Sequence, residues 1–285
     1  MIKIGMIDRW LNNWHTDHYP DYLRLAAEKF GFDADVTDVW AQRDAPGGLS
    51  TEAWCALKCL RPAATQEELF RRVDAVMVMC ADDCLPHEEL AWQALAAGKP
   101  LYCDKTFAPD VESARRMFLR ANAHGTPVYS CSAQRYCMEL MSFRRRFGRA
   151  AWCATTGPGD LENYSVHQFE MIEYLMGAGA ESCRAEESEG ILKVVCGYGG
   201  DRSASFAQGA ALSFAMEASP GGGHREDIAV VDYYMSFMFG LLKFFSGDPP
   251  PVAQEDTMEV MALQQAARQA RRQPGLEVPL PDRAL

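Results

Sequence analysis

The 285-residue chain carries 28 basic against 39 acidic side chains, and its net charge of −11 excludes proteins that hold nucleic acid or anionic membranes by neutralising phosphates. Its ten cysteines lie scattered through apolar segments with no apolar leader, which points to buried thiols in a reducing cytoplasm rather than a disulfide scaffold. Cys55/Cys59 and Cys80/Cys84 lack a second pair at zinc-finger spacing, so no metal site is expected; the longest apolar run, Tyr233 to Phe245, contains Lys243 and is too short to span a bilayer.

From the N-terminus, "IKIGMI" predicts a strand and "DYLRLAAEKFG" a helix with Tyr22, Leu23, Leu25, Ala26 and Phe30 on one face before Gly31 ends it. "DADVTDVWA" predicts the second strand. Past a glycine-bearing loop, Thr65 caps the short helix "TQEELFRRV", with Glu68 in the capping-box position. "DAVMVMCA" is a continuous apolar run of strand length, the pattern of a central parallel strand covered on both faces. "PHEELAWQALAAGK" predicts one helix from its proline to its glycine, "PLYCDK" a strand, and "DVESARRMFLRANAHG" with "TPVYSCSA" a further helix and strand. This alternation implies an α/β domain with a parallel sheet up to about residue 130.

Beyond Gly148, "AAWCAT", "SCRAEES", "GILKVVCGYG", "SASFAQ" and "ALSFAMEA" predict the short strands of a mostly antiparallel sheet, interrupted by the helix "SVHQFEMIEYLMG". Helices over about 228–245 and 257–271 close the chain before "GLEVPLP". The expected organisation is a Rossmann-like domain over 1–130 and an α+β domain for substrate and oligomerisation over 131–285, with the C-terminal helix able to pack back on the first. The second sheet is rich in apolar residues for a face open to water, so a homo-oligomer paired through it is expected.

The stretch "VDAVMVMCADDCLPHEELAWQALAAGKPLYCDKTFA" resembles the Gfo/Idh/MocA family of sugar and polyol oxidoreductases, where such a strand precedes a histidine-started helix and then "AGKxVxxEKP". The likeness continues through "VYSCSAQRY", "SVHQFEMIEYLMG" and "MEVMALQQAARQARRQPGLEVPLP". The resemblance implies NAD or NADP as cofactor and a small carbohydrate or polyol as substrate. It also implies that Lys105 and His167, 62 positions apart, flank the reacting carbon across the cleft between the domains. Oxidising an alcohol needs a base of near-neutral pKa and a positive group beside the developing alkoxide, which that pair would supply. On the same reading Arg135, Tyr136, Asn163 and Tyr164 hold sugar hydroxyls, and Trp14 and His15 cover them. Gly5, Ile7, Asp8, Asp38, Cys80, Ala81 and Asp104 stand where the cofactor would lie, Asp38 near the end of the second strand as the ribose-binding acid of an NAD site.

Three departures accompany the likeness. "EKP" has become Asp104-Lys105-Thr106, without the proline that fixes the backbone. Asn163 stands where the family often places an aspartate four residues ahead of the histidine, removing a charge that raises its basicity. The first strand is followed by no G-x-G-x-x-G, only by Asp8 and the bulky "RWLNNW", which predicts either a sugar-facing loop or a plug in the cofactor groove. His15 matches the histidine that follows the family's glycine loop, and with His18 makes an H-x-x-H that lacks a third metal ligand. Three functions therefore stand open: hydride transfer from a sugar to NAD(P), a cofactor-independent lyase or isomerase using the same Lys105 and His167, and a non-catalytic binding or partner subunit.

Overall fold

Apolar runs alternating with capped helices build two sheets in the computed structural model, which describes residues 1–80 and 83–285. The first contains β1 (Ile2–Asp8), β2 (Ala34–Ala41), β3 (Arg61–Pro62), β4 (Ala75–Val78), β5 (Leu101–Cys103) and β6 (Val128–Tyr129). All neighbours are parallel in the order β3-β2-β1-β4-β5-β6. This is the doubly wound order, in which ligands bind beyond the carboxyl ends of the strands. Every residue of β4 is buried, as a strand covered on both faces must be. Helices α1 (Trp14–Phe30), α2 (Thr51–Lys58), α3 (Gln66–Arg72), α4 (His87–Ala91) and α5 (Val111–Ala123) supply the crossovers.

Several local details differ from the sequence pattern. α1 starts at Trp14 rather than Asp21, because the Asn13 side chain accepts from the Thr16 amide and caps the helix earlier. The glycine-bearing loop contains α2, capped by Ser50 on the Ala53 amide. The Glu68 carboxylate reaches back one residue further than a capping box requires, to the amide of Ala64 at 2.6 Å. The helix expected through "PHEELAWQALAAGK" stops at Ala91 and resumes as a 3-10 turn over Ala94–Ala96. There the Gln66 side-chain amide donates to the Leu90 carbonyl at 3.1 Å, taking the acceptor that a continued helix would give to Ala94.

The second sheet follows α6 (Met138–Phe147) and contains β7 (Trp152–Gly157), β8 (Ala180–Ser188), β9 (Ile191–Tyr198), β10 (Ser203–Gln208), β11 (Ala215–Gly221), β12 (His224–Ile228) and β13 (Glu277–Pro279). Its order is β12-β11-β7-β10-β9-β8-β13, antiparallel except for the parallel pair β7/β10. β12 is a strand the turn signals did not announce; it pairs Ile228 with Met216 and so delays the next helix, α8, to Tyr234–Phe245. α7 (Ser165–Met176) and α9 (Gln254–Arg272) bury Phe169, Ile172, Leu175, Leu263 and Ala267 in one core with Val194, Cys196 and Phe206 of the sheet.

The chain forms two compact units, Met1–Cys131 with Phe237–Ala253, and Ser132–Ser236 with Gln254–Leu285. The segment 237–253, which the sequence pattern assigns to the second domain, groups with the first because of its aromatic residues. Phe237 packs edge-on against Tyr19 at 5.9 Å and Tyr102 at 5.5 Å, and Phe244 against Tyr129 at 4.9 Å.

Gly5 of β1 is required by packing. A Cβ there would approach Leu69 Cδ2 to 2.6 Å and Val73 Cγ2 to 3.0 Å, and both side chains are buried. Gly5→Ala is expected to cost about 1–3 kcal/mol of unfolding free energy through overpacking. Denaturant titration checks this, and an unchanged midpoint would mean that β1 and α3 part without penalty.

Candidate active site

The carboxyl end of β5 delivers Asp104 and Lys105, and the first turn of α1 delivers His15. The Asp104 carboxylate is completely buried and meets three groups: His15 Nδ1 at 2.5 Å, the Tyr102 hydroxyl at 2.9 Å and the Lys105 amide at 2.9 Å. Burial alone would push its carboxyl up, but the charge and hydrogen bond of His15, together with Lys105, outweigh it and hold the group down at about 2. The His15 ring stacks on Tyr19 at 4.7 Å, which fixes its plane. Lys105 is itself only 8% exposed. Three residues singled out from the sequence thus form one charged cluster at the edge where this fold binds ligands. Tyr102, which the sequence did not mark because it reads as an ordinary strand aromatic, completes it; burial and the neighbouring Asp104 drive its hydroxyl pKa well upward, so it stays a donor.

The turn from β1 to α1 is closed by its own side chains. Asp8, 1% exposed, accepts from the Arg9 amide at 2.6 Å and from Asn13 Nδ2 at 3.0 Å. The amides of Cys80 and Trp10 also bond to it. Asn13 Nδ2 additionally reaches the Trp10 carbonyl at 3.0 Å, while its Oδ1 caps α1. Burial pushes the Asp8 carboxyl up to about 6 against the pull of these donors. Cys80, two residues past the end of β4, has a positive φ of 58°, unusual for a residue with a side chain, and burial pushes its thiol up to about 12. Behind it, fully buried His87 faces the Met79 carbonyl through Nε2 at 2.6 Å and the Phe107 carbonyl through Nδ1 at 3.2 Å, and burial drives its pKa down. Ala81 lies outside the described residues.

A dinucleotide diphosphate needs open backbone at the positions i, i+2 and i+5 from the end of the first strand. Here those positions are Asp8, Trp10 and Asn13, and the arrangement does not fit that group. Asp38 is also corrected: it lies inside β2, not near its end, and its buried carboxylate is held by Arg61 at 2.8 Å, Arg72 at 3.6 Å and the Thr37 hydroxyl at 2.8 Å. It is not placed to meet a ribose. Gly5 and Ile7 are fully buried in β1, where Gly5 serves packing. Trp14 stands 45% exposed and stacks on His18 at 4.5 Å, and His18 Nδ1 bonds the Trp14 carbonyl. The histidines of the H-x-x-H thus serve different partners. A cavity of about 360 Å³ opens beside the end of β2, lined by Trp40, Gln42, Thr65, Gln66, Glu89 and Gln93.

In the second unit His167 lies in the first turn of α7, its Nδ1 2.7 Å from the Ser132 hydroxyl, which also accepts from the Gln134 amide at 3.2 Å. Tyr164 and Phe214 stand edge-on to its ring at 5.8 Å and 5.7 Å. Ser132 is a partner the sequence did not disclose; its only signal was a capping serine ahead of "AQRY". Tyr164 and Asn163 are exposed beside the histidine, in a turn set by Asp160, whose carboxylate accepts from the Asn163 amide at 2.9 Å. Arg135 is corrected as a sugar ligand: it is 7% exposed, and its guanidinium is committed to Glu173 at 2.6 Å, Glu170 at 3.1 Å and Asp256 at 3.6 Å. Tyr136, next to it, is half-buried.

Residues 20–131 match the Gfo/Idh/MocA family model, described as an oxidoreductase family with an NAD-binding Rossmann fold. The resemblance read from the sequence holds over this stretch, which begins after β1 and its turn. Inositol 2-dehydrogenase of Agrobacterium fabrum (strain C58) is 40% identical over 62 residues, covering 22% of this chain and 18% of that protein. The whole fold is shared with myo-inositol 2-dehydrogenase from Lactobacillus plantarum (TM-score 0.78, 13% identity, 98% of this chain and 99% of that one). It is shared too with an oxidoreductase from Agrobacterium radiobacter solved with NAD+, L-tartaric acid and magnesium (TM-score 0.76, 13% identity, 98% of each chain).

The Arg135 cluster sets a pH dependence. Burial pushes the carboxyls of Glu170 and Glu173 from 4.5 up to about 7 each, although Arg135 pulls both down. The folded state therefore binds more protons than the unfolded one between these values, so this contribution is complete below about 4.5 and is lost as pH rises through about 7. Glu173→Gln is expected to flatten that slope, its Tm gaining on the wild type between about pH 5 and about pH 8. A Tm difference that stays constant across the range would refute the assignment.

Proposed function

We propose that the protein is an enzyme acting on the hydroxyl- or carbonyl-bearing carbon of a small sugar or polyol, with Lys105 as the cation and His167 as the proton carrier. The observation that carries this reading is the buried Asp104 cluster, which fixes Lys105 and His15 at the carboxyl edge of a Rossmann-type sheet. Loss of the substrate hydroxyl proton leaves an alkoxide, and an ammonium group beside it lowers its energy most where water is excluded. Ser132 orients the His167 ring through Nδ1, and Nε2 is the nitrogen proposed to exchange the proton. Tyr164, Asn163 and Tyr136 are the proposed hydroxyl-binding residues of the second unit, with His15 and Trp14 those of the first.

Two chemistries use this pair. The oxidoreductase family match and the neighbour solved with NAD+ support a sugar or polyol dehydrogenase linked to NAD or NADP, with an inositol-like polyol suggested by the two inositol dehydrogenases. The closed turn around Asp8 favours the second, a cofactor-independent lyase or isomerase in which the same residues remove a proton beside a carbonyl and stabilise the enolate. Native mass spectrometry of the purified protein separates them by a retained dinucleotide, and solvent-deuterium incorporation into substrate by its presence without one.

We also infer pairing of two copies through the outer face of the second sheet. Trp152, Ala154 and Ala207 lie there half-buried and Val195 exposed, in adjoining rows with Ser203 and Ser205, while Lys193 stands opposite Ala207 and the Glu217–Arg225 pair borders Ala154 and Trp152. Light scattering should show a dimer or larger at micromolar concentration, and a stable monomer counts against it.

Lys105→Met and His167→Ala, each confirmed as folded by its melting curve, should lower turnover by about 10²–10⁴-fold, the range for loss of a positioned acid–base group. Full activity in both variants would remove this pair from the mechanism.

A further inference from the structure

We propose that Asp8 is a resident anion: its carboxylate holds the backbone amides of the β1–α1 turn that a Rossmann fold offers to a diphosphate, and the chain thereby excludes NAD(H) and NADP(H) from that position. The inference rests on the Rossmann fold of the first unit and not on the roles given to Lys105 and His167.

Successive amides at the end of a first strand, next to a helix N-terminus, form a ready concavity for an anion. In this chain the concavity is spent. Arg9 donates its amide to Asp8 at 2.6 Å, the amides of Trp10 and Cys80 bond to the same carboxylate, and Asn13 adds its side-chain amide at 3.0 Å. The first turn of α1 is taken as well, since Asn13 Oδ1 accepts from the Thr16 amide at 3.1 Å and the Thr16 hydroxyl accepts from the Asn13 amide at 3.1 Å. A diphosphate brought here would lose these donors and meet a buried like charge.

One cation of the turn is already paired with a carboxylate. Arg9 is paired with Asp83 at 3.1 Å and lies over the Trp10 ring at 4.8 Å, and Arg43 covers the same ring at 5.0 Å. Trp10 stands at the second of the three positions where open backbone is needed, a half-buried indole with guanidinium groups at 4.8 Å and 5.0 Å. Asp38, locked by Arg61 and Arg72, gives no ribose contact in exchange. The glycine-free turn is thus a complete structure in its own right, with the anion supplied in cis.

The test is equilibrium binding of NADH and of NADPH to the full chain, followed by nucleotide fluorescence at about pH 8, for the wild type, Asp8→Gly, Asp8→Ser and Lys105→Met. Wild type and Lys105→Met should show dissociation constants weaker than micromolar for both nucleotides. Asp8→Gly and Asp8→Ser, each confirmed as folded by its melting curve, should bind at least about tenfold more tightly. Asp8→Ser keeps a small polar side chain, so it covers the case in which glycine loosens the turn too far. Micromolar or tighter binding by the wild type overturns the proposal, and so does equal affinity in wild type and a folded Asp8 variant. Loss of turnover in Lys105→Met with unchanged nucleotide affinity leaves it standing, which separates it from the proposed catalytic roles.

Discussion

The buried Asp104 carboxylate is the interaction on which the first unit's candidate site depends. It joins a residue from α1, one from β5 and the backbone of Lys105 through a single ionised group with no solvent around it. A charge in that position is tolerated only while its partners remain, because removing one partner of a buried pair costs about 3–5 kcal/mol. The same carboxylate accepts from the backbone amide of Lys105, so the start of the loop that carries the lysine is tied to this cluster. His15 and Tyr102 hold the Asp104 carboxylate from two different elements, α1 and β5.

Side chains also take over the backbone's needs at the β1–α1 turn. A Rossmann turn normally relies on glycine to bring the strand close to the helix and leave amides open. This chain keeps one small residue, Gly5, for contact between β1 and α3, and satisfies the turn's amides with carboxylate and carboxamide side chains. His87 belongs to this scheme: it faces the Met79 carbonyl just past β4, and the next residue, Cys80, offers its amide to Asp8. The sheet order survives because it is dictated by the apolar strands and crossovers, which do not involve the turn.

Fold and site were legible in the sequence to different depths. Apolar runs such as "DAVMVMCA" and the alternation of strand and helix are local signals, and both sheets follow from them. Lys105 and His167 are proposed from motif likeness alone. Ser132 and Tyr102 were not visible, because a hydrogen bond between side chains far apart in the chain leaves no periodic trace. Arg135 and Asp38 were misjudged for the same reason: a charged residue in a motif position looks available until the carboxylates or guanidinium groups packed around it are known. The helix break at Ala91 likewise came from Gln66, a side chain on another helix.

The interleaving of the two units bears on how the molecule is made. The first unit is not finished at Cys131; it needs Phe237, Phe239 and Phe244 from the returning segment, which lie against Tyr19 and Tyr102, Phe30, and Tyr129. During vectorial synthesis the ribosome delivers the six parallel strands first and the ring system that seals them only after the second sheet's main strands have emerged. The nascent chain therefore carries an uncovered aromatic face across more than a hundred residues of translation, the interval between 131 and 237. A gene fragment ending at the first boundary would leave that face without its cover permanently, because the first unit is not contiguous in the chain.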